Sequence, residues 1–271
     1  MKILLTTLVL SLALVGNVEA GRKKTVKPKA QPVKHIIRTY VPEFSAKSYL
    51  IADSTGTVLR EHDMNTVMPI ASITKLMIGI LAAEQNLDEH LPIPTSREVQ
   101  SRIPYRITTL TRRELLTLAL VKSDNLAAQV LCDNLPNCIG AMNAKATSLG
   151  MSNTRFDEPT GLSSENVSTA NDLLKLMLAA SRNRTVSYIS SMKEAEIETD
   201  KNPIRIKNTN PLTFTMDVIL SKTGYTIPAG GCLVMTINSV VGPRILILLG
   251  SKNARTRVPD MERLVKGLDN N

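Results

Sequence analysis

The stretch Ser72-Ile73-Thr74-Lys75-Leu76-Met77-Ile78-Gly79-Ile80-Leu81 includes a run of apolar residues at Ile73, Leu76, Met77, Ile80 and Leu81. That i, i+3, i+4 spacing predicts a helix buried along one face, with Ser72 in its first turn. Residues three apart stack on one face of a helix, so the Lys75 amine can approach the Ser72 hydroxyl. A neutral hydroxyl is a poor nucleophile and needs an adjacent base. Lysine can be that base when burial or a neighbouring cation lowers its pKa. The free backbone N–H groups at a helix start also favour negative charge developing on a bound carbonyl oxygen. Standing alone, the same residues would be better read as a serine N-cap followed by a surface lysine.

Two further strings remove that ambiguity by their order and spacing. Ser123-Asp124-Asn125 falls in the break between two helical stretches, and Lys222-Thr223-Gly224 closes a predicted strand. A second S-x-x-K occurs at Ser190 to Lys193, and other S-x-N matches begin at Ser164, Ser181 and Ser251, whereas K-T-G occurs once. Order excludes the pair at Ser190 to Lys193 and the match at Ser251, and of the remaining S-x-N matches only Ser123-Asp124-Asn125 directly separates two predicted helical stretches. In that arrangement Ser123 can relay a proton towards a leaving amine, and Asn125 can hold Lys75 or the substrate backbone. Lys222 and Thr223 can grip a carboxylate, and Gly224 lets a substrate's backbone lie close. Lys222 also supplies the second positive charge that would depress Lys75. Local alternatives are a helix cap at 123–125 and an ordinary strand end at 222–224.

The segments around these strings fit one α/β (α+β) domain. Ser48 to Ala52, a Ser54-Thr55-Gly56 turn and Thr57 to Leu59 predict an antiparallel hairpin. Helices are expected over Arg113 to Val121, Leu126 to Cys132, Ala141 to Leu149, Ala170 to Ser181 and Pro259 to Leu268. Strands return near Val218 to Ser221, Cys232 to Val241 and Arg244 to Leu249, with Gly242-Pro243 as a turn. Two strands, a helical block and three strands imply a mostly antiparallel sheet closed by distant parts of the chain.

At 271 residues, 43% hydrophobic and 21% charged, the chain can bury a full core. Residues 1–20 read as a secretory signal: Lys2, an apolar run from Ile3 to Val15, and Val18-Glu19-Ala20 before Gly21. The run is shorter than the roughly 20 residues of a spanning helix, which favours cleavage over anchoring. Seven cations and no acid lie between Arg22 and Arg38, so residues 21–40 read as a basic flexible linker and residues 41–271 as the domain proper. The linker suits weak contact with anionic membrane or wall polymer, or is a solvated tail. Nucleic acid is set aside, because the chain is exported and aromatic residues make up only 3% of it. About 47 residues follow Gly224, too few for another domain, as expected of a soluble envelope enzyme. Cys132 and Cys138 flank a short loop, and whether they form a disulfide stays open; Cys232 reads as a buried structural thiol. His35, His62 and His90 lie in no Ser/His/Asp setting and form no ligand cluster, so no metal or cofactor is expected.

The three strings resemble the active-site motifs of low-molecular-mass penicillin-binding proteins, a signature shared with class A β-lactamases. Met142 to Ala146, Leu149-Gly150-Met151, Glu158 to Leu162, Asn208-Thr209-Asn210 and Lys222 to Thr226 resemble the D-alanyl-D-alanine endopeptidase branch in particular. The similarity runs from about Ser45 to Gly250. It implies a β-lactamase-like transpeptidase fold, a five-stranded antiparallel sheet flanked by helices with an inserted all-helical lobe. It also implies a periplasmic serine DD-peptidase that cuts peptidoglycan cross-links and is acylated by β-lactam antibiotics. Ser72 would be the nucleophile and Lys75 the base, with Ser123, Asn125 and Lys222 completing proton transfer and binding. Thr223, Gly224 and Tyr225 would line the substrate, the N–H groups of Ser72 and Tyr225 forming the oxyanion hole. Asp124 departs from the glutamate more usual in this branch. Glu158 falls where a class A β-lactamase carries its water-activating glutamate, but leads into a peptidase-like Pro-Thr-Gly-Leu. A D-Ala-D-Ala carboxypeptidase is the nearest alternative, followed by a β-lactamase and a non-catalytic wall-binding scaffold.

Overall fold

The computed structural model describes residues 44–96, 98–199 and 202–268, so the expected signal segment and basic linker lie outside the described residues. Strands β1 (Ser48–Asp53) and β2 (Val58–His62) form the predicted hairpin. Its turn carries Gly56 at φ +93°, a conformation that glycine adopts without strain. After the helical residues come β3 (Val218–Thr226), β4 (Gly230–Ser239) and β5 (Gly242–Ser251). The five strands join antiparallel in the order β2-β1-β5-β4-β3, so the first hairpin docks on the last strand and β3 is an edge.

Alternation along these strands gives the sheet two apolar faces. Leu233, Met235, Leu246 and Leu248 pack against Met261 and Leu264 of the C-terminal helix. Val234, Ile245, Ile247 and Leu249 face the larger core that holds the remaining helices. Those helices are α1 (Lys75–Ala83), α2 (Arg112–Val121), α3 (Asn125–Asp133), α4 (Cys138–Ser148), α5 (Ala170–Arg182) and α6 (Arg184–Ser191), with α7 (Arg257–Lys266) at the C-terminus. The α/β fold class and the inserted helical lobe are as expected. Cys132 and Cys138 are disulfide-bonded across the α3–α4 loop, with a Cα–Cα distance of 5.4 Å. Cys232 is a buried free thiol.

Several expectations need correction. Residues Ala71–Thr74 form a 3₁₀ turn and α1 starts at Lys75, so Ser72 precedes the α-helix. Helix α1 is not a one-faced surface helix, because Ile78 on its far side is as buried as Leu76 and Met77. It packs against α2, α3, α4, α5 and α6, which together cover it on more than one side. Lys222-Thr223-Gly224 sits within β3, which continues to Thr226. The β4–β5 turn is made by Val240 and Val241, while Gly242 (φ +95°) and Pro243 already belong to β5. Helix α6 was not anticipated. Its serines and threonine weaken the apolar signal, and Asn183 caps it through the Val186 N–H.

Candidate active site

Each string arrives on a different element. Ser72 sits on the 3₁₀ turn, where Ala71 takes φ +47°. Ser123 sits between α2 and α3 at φ +61° and breaks what would otherwise be one helix. That break is held from both sides: Leu118 O accepts from the N–H groups of Lys122 and Asp124, and the Asp124 side chain caps α3 through the Ala127 N–H. Lys222 and Thr223 project from the edge strand β3. The unrelated Ser190 and Lys193 show why the second S-x-x-K is silent. Ser190 is buried and bonds Ser187 O, whereas Lys193 is exposed.

Lys75 is fully buried and its Nζ meets three oxygens: Ser72 Oγ at 2.9 Å, Asn125 Oδ1 at 2.8 Å and Thr160 O at 2.5 Å. Burial brings its pKa down to about 7, against the opposing pull of Glu158 and Asp124. A neutral amine has two N–H bonds and one lone pair. Two of the three neighbours are carbonyl oxygens that can only accept, so they take the two N–H bonds and leave the lone pair aimed at Ser72 Oγ. The neutral state is therefore held in the orientation of a general base.

Lys222 forms a second buried cation site, donating to Ser123 Oγ at 2.8 Å and to Thr223 O at 2.9 Å. Burial, then repulsion from Lys75 and Arg257, pushes its pKa well below the usual lysine value. Ser123 thus bridges the Lys222 side of the cleft. The Thr223 hydroxyl shares a 2.6 Å hydrogen bond with that of Thr209. Tyr225 lies half-exposed beside them. Hydrogen bonds join Ser72, Lys75 and Asn125 in one cluster and Ser123, Lys222 and Thr223 in another, Gly224 lies against the Ser72 turn, and Tyr225 follows it on β3.

Gly224 differs from expectation in what uses its vacant side. A Cβ there would come within 2.9 Å of Ile70 O and 3.1 Å of Ser72 N, so the space admits the chain's own nucleophile turn. Gly161 (φ +83°) does the same from the other side, since its Cβ would stand 2.1 Å from Ala71 O. The Ser72 turn is clasped between two glycines.

The loop at 158–166 supplies residues that motif reading passed over. Glu158 Oε2 accepts from Thr160 N (2.7 Å) and Thr160 Oγ1 (2.5 Å). Its Oε1 accepts from Gly161 N (2.6 Å), Ser163 N (3.3 Å) and Asn166 Nδ2 (2.5 Å). Five donors wrap the loop around one carboxylate and turn the Thr160 carbonyl onto Lys75. Glu158-Pro159-Thr160-Gly161 was the available signal, but a backbone carbonyl carries no residue identity to read. Arg257 is the other omission. Its Nη1 donates to Gly224 O at 2.9 Å, and its buried Nε has no partner among the described residues.

Comparison with known proteins agrees with this geometry. Residues 35–253 match the peptidase S11 family model, described as D-alanyl-D-alanine carboxypeptidase. A D-alanyl-D-alanine endopeptidase of Escherichia coli (strain K12) is 39% identical over 240 residues, 82% of this chain and 77% of that protein. One from Pseudomonas aeruginosa is 38% identical, covering 98% of this chain and 87% of the relative. Among solved structures, ampicillin-bound penicillin-binding protein D2 of Listeria monocytogenes superposes with a TM-score of 0.76 at 30% identity, covering 83% of this chain and 98% of that one.

Proposed function

This chain belongs to the D-alanyl-D-alanine carboxypeptidase family, peptidase S11, and we propose that it is a serine DD-endopeptidase that opens D,D cross-links of peptidoglycan through an acyl-enzyme on Ser72. The observation that carries the chemistry is the buried Lys75 amine, 2.9 Å from Ser72 Oγ and oriented by two carbonyl acceptors. The names of the 38–39% identical relatives support cross-link cleavage over terminal trimming.

Neutral Lys75 takes the Ser72 proton as Oγ attacks the penultimate D-alanine carbonyl. Charge on the tetrahedral oxygen falls to the N–H groups of Ser72 and Tyr225. As the C–N bond breaks, Ser123 passes its proton to the departing amine and takes one back from Lys222 Nζ, 2.8 Å away. Lys222, Thr223 and Arg257 offer the nearest positive and hydroxyl groups for a substrate carboxylate. Water then releases the acyl group. Glu158 does not activate that water, because both its oxygens are occupied by loop donors. A β-lactam acylates the same serine, a reading supported by the similar penicillin-binding protein D2 having been solved with ampicillin bound. Residues 1–20 direct export to the periplasm, and the basic residues from Arg22 to Arg38 give weak contact with anionic membrane or wall polymer.

Purified protein incubated with a cross-linked muropeptide dimer and, separately, with a monomeric pentapeptide tests the reading. Dimer cleavage that disappears in Ser72→Ala is expected. Trimming of the monomer alone would make it a carboxypeptidase.

A further inference from the structure

An endopeptidase must hold two peptides, and the residues described so far deal with one scissile bond and one carboxylate. Beside Ser123 opens a cleft of about 680 Å³, lined by Glu98, Val99, Gln100, Ser101, Arg102, Ile103 and Tyr105 on one wall and 122–125 on the other. That volume lies within the range of roughly 300–1,000 Å³ typical of ligand sites. The first wall is tied to the catalytic string itself. Buried Asp124 accepts from Ser101 Oγ at 2.9 and 3.0 Å and from the Arg102 N–H at 2.5 Å, while also capping α3. The carboxylate of Asp124 is therefore spent on the wall and the cap.

Of the other ionised side chains in the cleft, Arg102 is an exposed cation, Lys122 a half-buried cation and Glu98 the acid. Neither Arg102 nor Lys122 has an ion-pair partner among the described residues. Ser123 is both the hydroxyl held by Lys222 and part of this lining. A group that receives its proton from Ser123 consequently departs at the mouth of the cleft. A free D-alanine, the product of carboxypeptidase trimming, would not need 680 Å³. The amine-bearing peptide released from a cross-link would, and it carries at least its own C-terminal carboxylate.

We infer that the cleft between residues 98–105 and 122–125 is the binding site for the amine-side peptide of the cross-link, with Arg102 and Lys122 engaging its free carboxylate. Asp124 is the positioning residue that keeps this wall beside Ser123. The inference rests on the endopeptidase reading and gives it a structural basis: what separates cross-link cleavage from trimming is a second peptide site, not different chemistry.

The test compares wild type, Arg102→Ala, Arg102→Lys and Lys122→Ala on three substrates: a cross-linked muropeptide dimer, a monomeric pentapeptide and benzylpenicillin. Arg102→Ala and Lys122→Ala should each raise KM for the dimer about threefold or more, the worth of one solvent-screened charge contact. Arg102→Lys should stay near wild type on the dimer. Pentapeptide kcat/KM and the penicillin acylation rate should change less than twofold, because neither carries an amine-side peptide. Unchanged dimer KM in both alanine variants, or parallel losses on all three substrates, would overturn the inference alone. A wild-type enzyme that trims the pentapeptide and leaves the dimer intact would overturn the endopeptidase reading together with it.

Discussion

Replacing Glu158 by glutamine probes the least obvious part of the site. The carboxylate takes five hydrogen bonds, two on Oε2 and three on Oε1. A carboxamide of the same shape keeps one acceptor oxygen and turns an NH₂ group towards the other set; in the milder orientation, with NH₂ at the Oε2 position, the Thr160 N–H faces a donor while the Thr160 hydroxyl turns round to accept. Hydrogen bonds to a charged group contribute about 1.5–3 kcal/mol each, so losing the Thr160 N–H bond costs the loop about 1.5–3 kcal/mol. The loop relieves part of this by moving away, and the Thr160 carbonyl moves with it. Lys75 then loses one of the two acceptors that aim its lone pair at Ser72. Misplacement by about 1 Å can reduce a rate on the order of 100-fold, which is the expected fall in penicillin acylation. Pre-steady-state measurement with a fluorescent penicillin separates acylation from deacylation. Wild-type acylation with selectively slowed deacylation would refute the reasoning and make Glu158 the water-activating base of a β-lactamase.

With the Lys75 pKa near 7, the acylation rate of wild type should rise with pH, reach half its plateau close to pH 7 and stay flat above, since only the neutral amine is a base; stopped-flow acylation from pH 5.5 to 9 checks this. In Glu158→Gln the midpoint should move down, because the charge that supports protonated Lys75 is gone. Gly161→Ala places a Cβ 2.1 Å from Ala71 O at φ +83°, so both thermal stability and acylation should drop, with a stability loss of about 1–3 kcal/mol from the backbone conformation alone, read by chemical denaturation. Thr209→Val removes the hydroxyl partner of Thr223 and should raise KM for peptide substrates several-fold, while Thr209→Ser restores it; equal KM in Thr209→Val would show that Thr223 orients itself.

Much of this site was legible because side-chain identity carries it. Ser72, Lys75, Ser123, Asn125 and Lys222 are reactive or polar types, and order along the chain together with the break between two helical stretches separates them from the competing matches. The fold class followed from strand blocks at the two ends and a helical block between them. What escaped was whatever depends on backbone atoms or long-range packing. The Thr160 carbonyl has no sequence signature, and the use of Gly224 and Gly161 to clasp the Ser72 turn requires knowing that β3 and the 158–166 loop lie on either side of it. Helix α1 reads as one-faced because the stripe at 73, 76, 77, 80 and 81 leaves out Ile78, an apolar residue that is equally buried, and because nothing in the sequence shows that Gly79 lies against Leu116 and Leu120 of α2. The sequence ends β3 near Ser221 because Lys222 and Thr223 are polar types, although both are buried in the strand.

The central claim is that Ser72 is a nucleophile activated by Lys75. Peptide mapping by mass spectrometry after a brief exposure to benzylpenicillin at pH 8 tests it most directly. The account predicts one long-lived penicilloyl group, on the peptide containing Ser72, formed far more slowly in Lys75→Met. An adduct on any other residue, or equal labelling of wild type and Lys75→Met, would contradict it.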